Sequence, residues 1–279
     1  MSNNSPLHMT AGEADYVESN RIALIDADYI KYLVTYDMSK LINDEGVEPN
    51  VDILIGLIQE RVSHILPFVK CKAKVFLWSC KTKNNFRTAI AREKPYKGAR
   101  KSKELPYPEY FKDQEFVRSY IEGQYYSLSF DDLEADDLLG MLQSEDTFIY
   151  SKDKDARTVP GMHYDIKTDE FIFVTEEQAW RNLMMQMITG DSTDGIIGLR
   201  SVGPAGAKKM LDDKPHYLLL PTVFKAYIDK HGNALGLAKL CENHNLLNIT
   251  PATGEYMEEK YKDAYKLIET LKQLPDVIK

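Results

Sequence analysis

DDLEADDLLGMLQSEDTFIYSKDKD, residues 131–155, sets five carboxylates (Asp131, Asp132, Glu134, Asp136, Asp137) into seven positions. Two more, Asp153 and Asp155, follow a short apolar run. Acids at this density repel one another, and a carboxylate drawn out of water is unstable unless something compensates its charge. A solvated loop would meet that need. These acids, however, sit among core-forming neighbours: Leu133, Leu138, Leu139, Met141 and Leu142 on one side, Phe148, Ile149 and Tyr150 on the other. The periodicity predicts a helix over Glu134–Gln143 and a strand over Thr147–Ser151. Carboxylates fixed at the ends of core elements point to a bound divalent cation.

The alternation of strand and helix extends both ways. Upstream, IALID (Ile22–Asp26) reads as a buried parallel strand with Asp26 at its carboxyl end, the edge where open α/β sheets bind ligands. Asp28 lies two residues on. DYIKYLVTY and Val51–Leu66 follow helical spacing, Lys74–Trp78 is a second strand, Tyr107–Ile121 an amphipathic helix and Tyr125–Phe130 a third strand. Downstream, GMHYDI and FIFV around Lys167-Thr168-Asp169 read as a hairpin. From Thr175 the pattern is helical: EEQAWRNLMMQMI, a glycine-rich connection into a helix beginning near Ala205, then more helices with polar joins. This predicts an α/β fold, a mainly parallel twisted sheet flanked by helices, followed by a helical C-terminal part. Residues 1–20 are expected to be a mobile lead-in, 21–174 the α/β core and 175–279 the helical part.

The net charge of −8 taken alone argues against a polyanionic partner, but the charge is uneven. Lys70–Lys103 holds twelve lysines and arginines against the single acid Glu93, so the remainder is far more acidic than the total. An acidic body with one basic segment can hold metal in one place and a phosphate backbone in another. That segment also carries Phe86 and Tyr96, rings of the kind that stack on bases, the alternative being a solvated cationic face. The cysteines (Cys71, Cys80, Cys241) are odd in number and form no C-x-x-C pair, which argues for a reducing compartment with neither a disulfide framework nor a zinc site. No apolar run approaches the roughly 18 residues of a membrane span, and the polar start lacks a signal-peptide apolar region. The expectation is a cytoplasmic protein that does not enter a membrane.

Taken together, Asp26, the Glu134-Asp136-Asp137 run, the Asp153/Asp155 pair and Asp191/Asp194 between Gly190 and Gly195 could meet at one end of a parallel sheet. Singly, Asp191 and Asp194 could be turn formers and Glu134 to Asp137 a helix cap. Oxygen donors alone suit hard cations such as Mg²⁺ or Mn²⁺, and this many carboxylates exceed the needs of one ion. Two ions about 4 Å apart, clamping the oxygens of a phosphodiester, fit the number. A calcium loop starting at Asp153 fails, because its sixth position is Thr158 where glycine is needed and its twelfth is Tyr164 where glutamate is needed. GLRSVGPAGAKK, with Gly198, Gly203 and Gly206 ahead of a helix, can form a nest of backbone amides for phosphate or offer carbonyls to a cation.

IDADY, NNFRTAIAREKPYKGARK, LEADDLLG, YSKDKDARTVPG and ITGDSTDGIIGLRSVGPAGA occur in that order over Ile22–Leu211. In this set the chain resembles the 5′-nuclease superfamily of flap endonucleases and 5′→3′ exonucleases, most like its compact bacteriophage exonucleases. The resemblance implies metal-dependent hydrolysis of DNA phosphodiesters near 5′ ends. It implies a two-ion Mg²⁺ or Mn²⁺ site built from Asp26, Glu134, Asp136, Asp137, Asp153, Asp155, Asp191 and Asp194. It puts Tyr96, Lys97 and Arg100 beside the scissile phosphate, in a helical arch of about residues 81–105. A helix–three-turn–helix module around Gly198–Lys209, with a K⁺ ion, is implied to grip duplex backbone. The implied DNA contacts are Arg87, Gly198, Ser201, Gly203, Gly206, Lys208 and Lys209. The implied partner is DNA with a 5′ end, flap or branch, extending to the RNA of RNA–DNA hybrids. The implied state is a monomer, in the host cytoplasm if phage-encoded. There is one departure: where the family pattern has a further metal-binding aspartate, just after the strand VFLW, this chain has Ser79-Cys80-Lys81. That leaves open a catalytically weakened member that binds branched DNA. A related metal-dependent ribonuclease is the other alternative, against which the glycine hairpin suited to duplex backbone argues.

Overall fold

The computed structural model describes residues 7–8, 21–65, 71–81, 85–98, 106–249 and 255–275. Seven strands make one sheet: β1 (Leu7–His8), β2 (Ile22–Asp26), β3 (Ala73–Trp78), β4 (Tyr126–Ser129), β5 (Thr147–Tyr150), β6 (Gly161–Asp165) and β7 (Glu170–Val174). Their spatial order is β1-β7-β6-β5-β2-β3-β4. The strands from β4 across to β6 are parallel, with Ile25 of β2 opposite both Phe76 and Tyr150. The expected hairpin, β6 with β7, is antiparallel, and so is the pairing of β1 with β7. Two residues of the expected lead-in thus form an edge strand; its other residues, 1–6 and 9–20, lie outside those described.

Strand β2 explains the sheet's double burial. Ala23 and Ile25 face one core, where α1 (Ala27–Glu45), α2 (Val51–His64) and α4 (Tyr110–Gln124) pack on Phe76, Trp78, Phe148 and Tyr150. The short helix α3 (Phe86–Ile90) lies between α2 and α4 in sequence. Ile22 and Leu24 face a second core, where α5 (Ala135–Leu142) packs on Val75, Leu77 and Ile149. A strand buried on both faces reads as a continuous apolar run rather than an alternating one, which is what IALID is. Each fully buried Ile or Leu contributes about 1.5–3 kcal/mol.

Among the described residues after β7, the elements are helices apart from the small hairpin of β8 (Gly190–Asp191) and β9 (Ile196–Ile197). Helix α6 (Glu176–Thr189) starts at a reciprocal cap between Thr175 and Gln178. It packs with α7 (Pro204–Leu211), α8 (His216–His231) and α9 (Asn233–Leu247) around Met184, Met187, Leu219, Val223 and Tyr227. Helices α10 (Glu255–Lys260) and α11 (Lys262–Lys272) follow. Within the expected helical part, residues 175–279, the described helices pack in two places. Tyr261, Ala264, Ile268 and Leu271 return to the sheet and complete its second core. Among the described residues no helix is long and apolar enough to cross a membrane.

The order places β3 on one side of β2 and β5 on the other. The chain's direction of travel across the sheet reverses there, which opens a crevice at the carboxyl end of β2.

Candidate metal and nucleic-acid site

Asp26 closes β2 and caps α1, its Oδ1 accepting from the amide of Tyr29 at 3.3 Å. Ser151, just past β5, donates its hydroxyl to Asp26 Oδ2 at 3.2 Å. Asp153 caps the 3₁₀ turn Lys154–Thr158, accepting from the amide of Asp155 at 2.9 Å. Gln186 of α6 donates to Asp155 Oδ1 at 2.7 Å. Asp136 stands in the first turn of α5. Among the described residues no donor reaches its carboxylate; what surrounds it is acid.

The electrostatics follow from that crowding. Burial, and then Asp26, Asp153, Glu134 and Asp137 in turn, push the Asp136 carboxyl well above its ordinary range. Burial and Asp28 raise Asp26 to about 7, with the Tyr29 amide and Ser151 pulling the other way. Burial and Asp153 raise Asp155 to about 6. Carboxyls driven up by burial and by each other form a donor set that a divalent cation would bring back to the ionised state. The residues therefore fit hard cations in their chemistry. Among the described residues, no three His, Cys, Asp or Glu side chains already stand together as a coordination shell.

Two cations of the protein lie within this acid. Arg87 of α3, only 3% exposed, donates to both oxygens of Asp137 at 2.6 and 2.7 Å and to the carbonyls of Leu246 (2.8 Å) and Asn248 (2.9 Å). Burial opposes its charge, and Asp137 more than offsets this. Asp137 in turn accepts from the Glu134 amide at 3.0 Å. The structure thus places Arg87, expected as a DNA contact, inside the protein, and pairs it with Asp137, expected as a metal ligand.

The second cation is Lys97. Its ammonium hydrogen-bonds Glu134 Oε1 and lies 3.8 Å from Asp194 Oδ2. Beside it, the Tyr96 hydroxyl lies 2.7 Å from Glu134 Oε2 and 3.0 Å from Asp194 Oδ2. Burial raises Glu134, but Lys97, Tyr96 and Arg87 together hold it below its ordinary value. Burial, then Glu134 and Asp194, push the Tyr96 phenol far up, so it is neutral. The Tyr96 ring packs against the α6–α9 core and is not a free stacking surface. Asp191 organises the turn behind, accepting from the amides of Thr193 (2.7 Å) and Asp194 (3.3 Å). This turn joins the acid cluster through Asp155, whose carboxyl Asp191 also raises.

The glycine-rich turn and residues 94–98 enclose a cleft of about 500 Å³ lined by Lys94, Pro95, Gly98 and residues 195–202. Gly198 is required there: a Cβ would lie 2.2 Å from the Ile188 carbonyl and 2.4 Å from the Gly190 nitrogen. Gly203 caps α7, Pro204 occupies its first turn, and Ser201, Gly203, Lys208 and Lys209 are exposed, with Gly206 half-buried. Ser201 has a left-handed backbone, φ 68°. Of the expected arch, residues 81 and 85–98 are described; Arg100 lies outside the described residues.

Sequence reasoning noted Ser79 without reading its contacts, and missed Ser151 and Gln186. Ser79 takes the place where a carboxylate was expected, its hydroxyl accepting from the Ala135 amide at 3.0 Å and its amide donating to Asp28 at 3.1 Å. Ser151 and Gln186 hold Asp26 and Asp155. Their one signal in the sequence was position: Ser79 and Ser151 each follow a buried strand directly.

No protein-family profile matches the chain, and no curated protein does. Solved structures do. The chain is similar to the bacteriophage T5 D15 protein co-crystallised with metal ions: 15% identity, TM-score 0.58, 91% of this chain and 100% of that one. It is similar to the T5 5′-exonuclease with bound zinc: 14% identity, TM-score 0.59, 91% and 99%. It is also similar to the T5 D15 flap endonuclease in a pseudo-enzyme–product complex with DNA and metal ions: 16% identity, TM-score 0.61, 89% and 99%. At this identity the similarity establishes a shared fold over nearly the whole of both chains.

Proposed function

We propose that this chain is a metal-dependent 5′→3′ exonuclease and flap endonuclease that hydrolyses DNA phosphodiesters near 5′ ends, with Mg²⁺ or Mn²⁺ as its ions. The observation that carries the reading is Asp136: a carboxylate at the mouth of the sheet's crevice whose surroundings are Asp26, Asp153, Glu134 and Asp137. The fold shared with the T5 nucleases supports it. When bound, hard divalent cations lower the pKa of water and neutralise phosphate charge.

Each group of the chain has a part. Asp26, Glu134, Asp136, Asp153, Asp155, Asp191 and Asp194 would hold the cations, in one or two sites. Lys97, once free of Glu134, can meet negative charge developing on the phosphate. The α7 N-terminus, with Ser201, Gly203, Gly206, Lys208 and Lys209, suits the backbone of a duplex. Gly198 shapes the turn behind it, where a K⁺ ion is part of the proposal. Arg100 is proposed to assist Lys97. The partner is DNA with a 5′ end, flap or branch, including RNA–DNA hybrids, bound by a monomer.

The test is digestion of 5′-labelled and 3′-labelled flap and duplex DNA with and without Mg²⁺, for the wild type and Asp153→Asn. We expect short 5′ products that require the metal, and none from the variant, which still binds DNA. Bound branched DNA with no cleavage under Mg²⁺ or Mn²⁺ would make the chain a binding protein. Substantial activity in Asp153→Asn would remove Asp153 from the site.

A further inference from the structure

Lys97 and Arg87 both sit among carboxylates, yet they are held differently. Arg87 is deeply buried and meets Asp137 and two backbone carbonyls at 2.9 Å or less. Lys97 is 27% exposed and directly hydrogen-bonds one carboxylate, Glu134, with Asp194 at 3.8 Å. A fork of guanidinium bonds with no solvent path is a fixed part. A single ammonium at the edge of solvent is an exchangeable one.

The segment around Lys97 is fastened to the same two acids. Tyr96 bridges Glu134 and Asp194 with one hydroxyl, and the Lys97 amide donates to the Asp194 carbonyl at 2.8 Å. Lys97 itself has φ 55°, in the left-handed region that residues other than glycine seldom adopt. Glu134 begins α5 and Asp194 ends the turn after α6, so Tyr96 and Lys97 tie two segments of the acid site together. An ammonium and a divalent cation cannot occupy the same position, because like charges at that distance repel strongly.

We propose that Tyr96 and Lys97 form a latch occupying the cation position between Glu134 and Asp194, so that a divalent ion enters by exchange with the Lys97 ammonium. This deepens the metal-dependent reading above and rests on it. The exchange has a consequence for order. While the latch is closed, Lys97 is committed to Glu134 and cannot meet a phosphate. Metal entry frees it, so the cation that completes the acid site also presents Lys97 to DNA.

The test uses the full chain without DNA and Mn²⁺ as the probe, with free Mn²⁺ followed by electron paramagnetic resonance. Lys97→Met is expected to bind Mn²⁺ about tenfold more tightly than the wild type, the size of one half-buried ion pair ceasing to compete. Tyr96→Phe, which changes no charge, is expected to tighten binding about threefold by removing the bridge. In the wild type, acetylation of Lys97 read by mass spectrometry should speed up when Mn²⁺ is added. A gain in Lys97→Met with none in Tyr96→Phe and unchanged acetylation would reduce the effect to net charge and overturn the latch. Equal binding by all three proteins would overturn the latch alone. No Mn²⁺ binding by any of them would overturn the metal reading, and the latch with it.

Discussion

Replacing Arg87 by methionine isolates the most heavily bonded charge among the described residues. The change removes two bonds to Asp137, one to each of two backbone carbonyls and a long one, 3.5 Å, to Glu134. It leaves Asp137, which is 0% exposed, with the Glu134 amide as its one remaining hydrogen-bond donor. Removing one partner of a buried pair costs about 3–5 kcal/mol, because the other charge stays buried without compensation. We expect a loss of about 4 kcal/mol, a large part of a typical 5–15 kcal/mol total, and a fall in Tm of roughly 10 °C. Urea unfolding with unchanged m-value is the assay. The double variant Arg87→Met with Asp137→Leu removes the orphaned charge as well, so it should recover at least about 1 kcal/mol of the single variant's loss. A loss below about 1 kcal/mol for Arg87→Met would refute the argument. So would a double variant less stable than Arg87→Met.

Two further predictions concern other parts of the molecule. Gly198→Ala puts a methyl against two backbone atoms that have little freedom to move, 2.2 and 2.4 Å away. It should destabilise by about 2–3 kcal/mol in urea; a change under about 0.5 kcal/mol would show that the turn yields. His163, buried on β6 with Nε2 2.8 Å from the Val159 carbonyl, is lowered to about 4 by burial, the carbonyl and Arg157 being smaller influences. The folded state therefore binds its proton later than the unfolded chain, whose histidine titrates near 6.5. Stability present above that pH should be lost as pH falls from about 6.5 to 4, by about 3 kcal/mol in total from this group. His163→Asn should lose that part of the pH dependence, and equal slopes in the two proteins would sink the assignment.

Local features of the sequence carried most of the architecture. IALID was recognisable as a doubly buried strand because every residue before Asp26 is apolar, and the acids of residues 134–155 declared themselves by density. What could not be read was which charge meets which. Arg87 and Asp137 are fifty residues apart, and nothing in either neighbourhood distinguishes a buried pair from a DNA contact beside a metal ligand. In the same way Tyr96, in a basic segment, looked like a ring for stacking, while its hydroxyl meets Asp194, ninety-eight residues on. Helix α11 shows a third limit. Ala264, Ile268 and Leu271, with Tyr261 just before the helix, pack on the sheet, and nothing in their own neighbourhood names that surface.

That return of α11 has a mechanical meaning. The helical bundle of α6–α9 leaves the sheet after Val174, and by Tyr261 the chain is packed on the sheet again, with the Lys72 ammonium bonded to the Lys272 carbonyl at 2.8 Å. A part joined at one end swings like a gate; a part joined at both is a yoke. Under the proposed nuclease function, the span between exposed Lys208–Lys209 and the acids at the sheet's mouth would then be a fixed gauge that sets where along a strand a cut falls. Changes in α11 would blur cut position before they altered the rate of cutting.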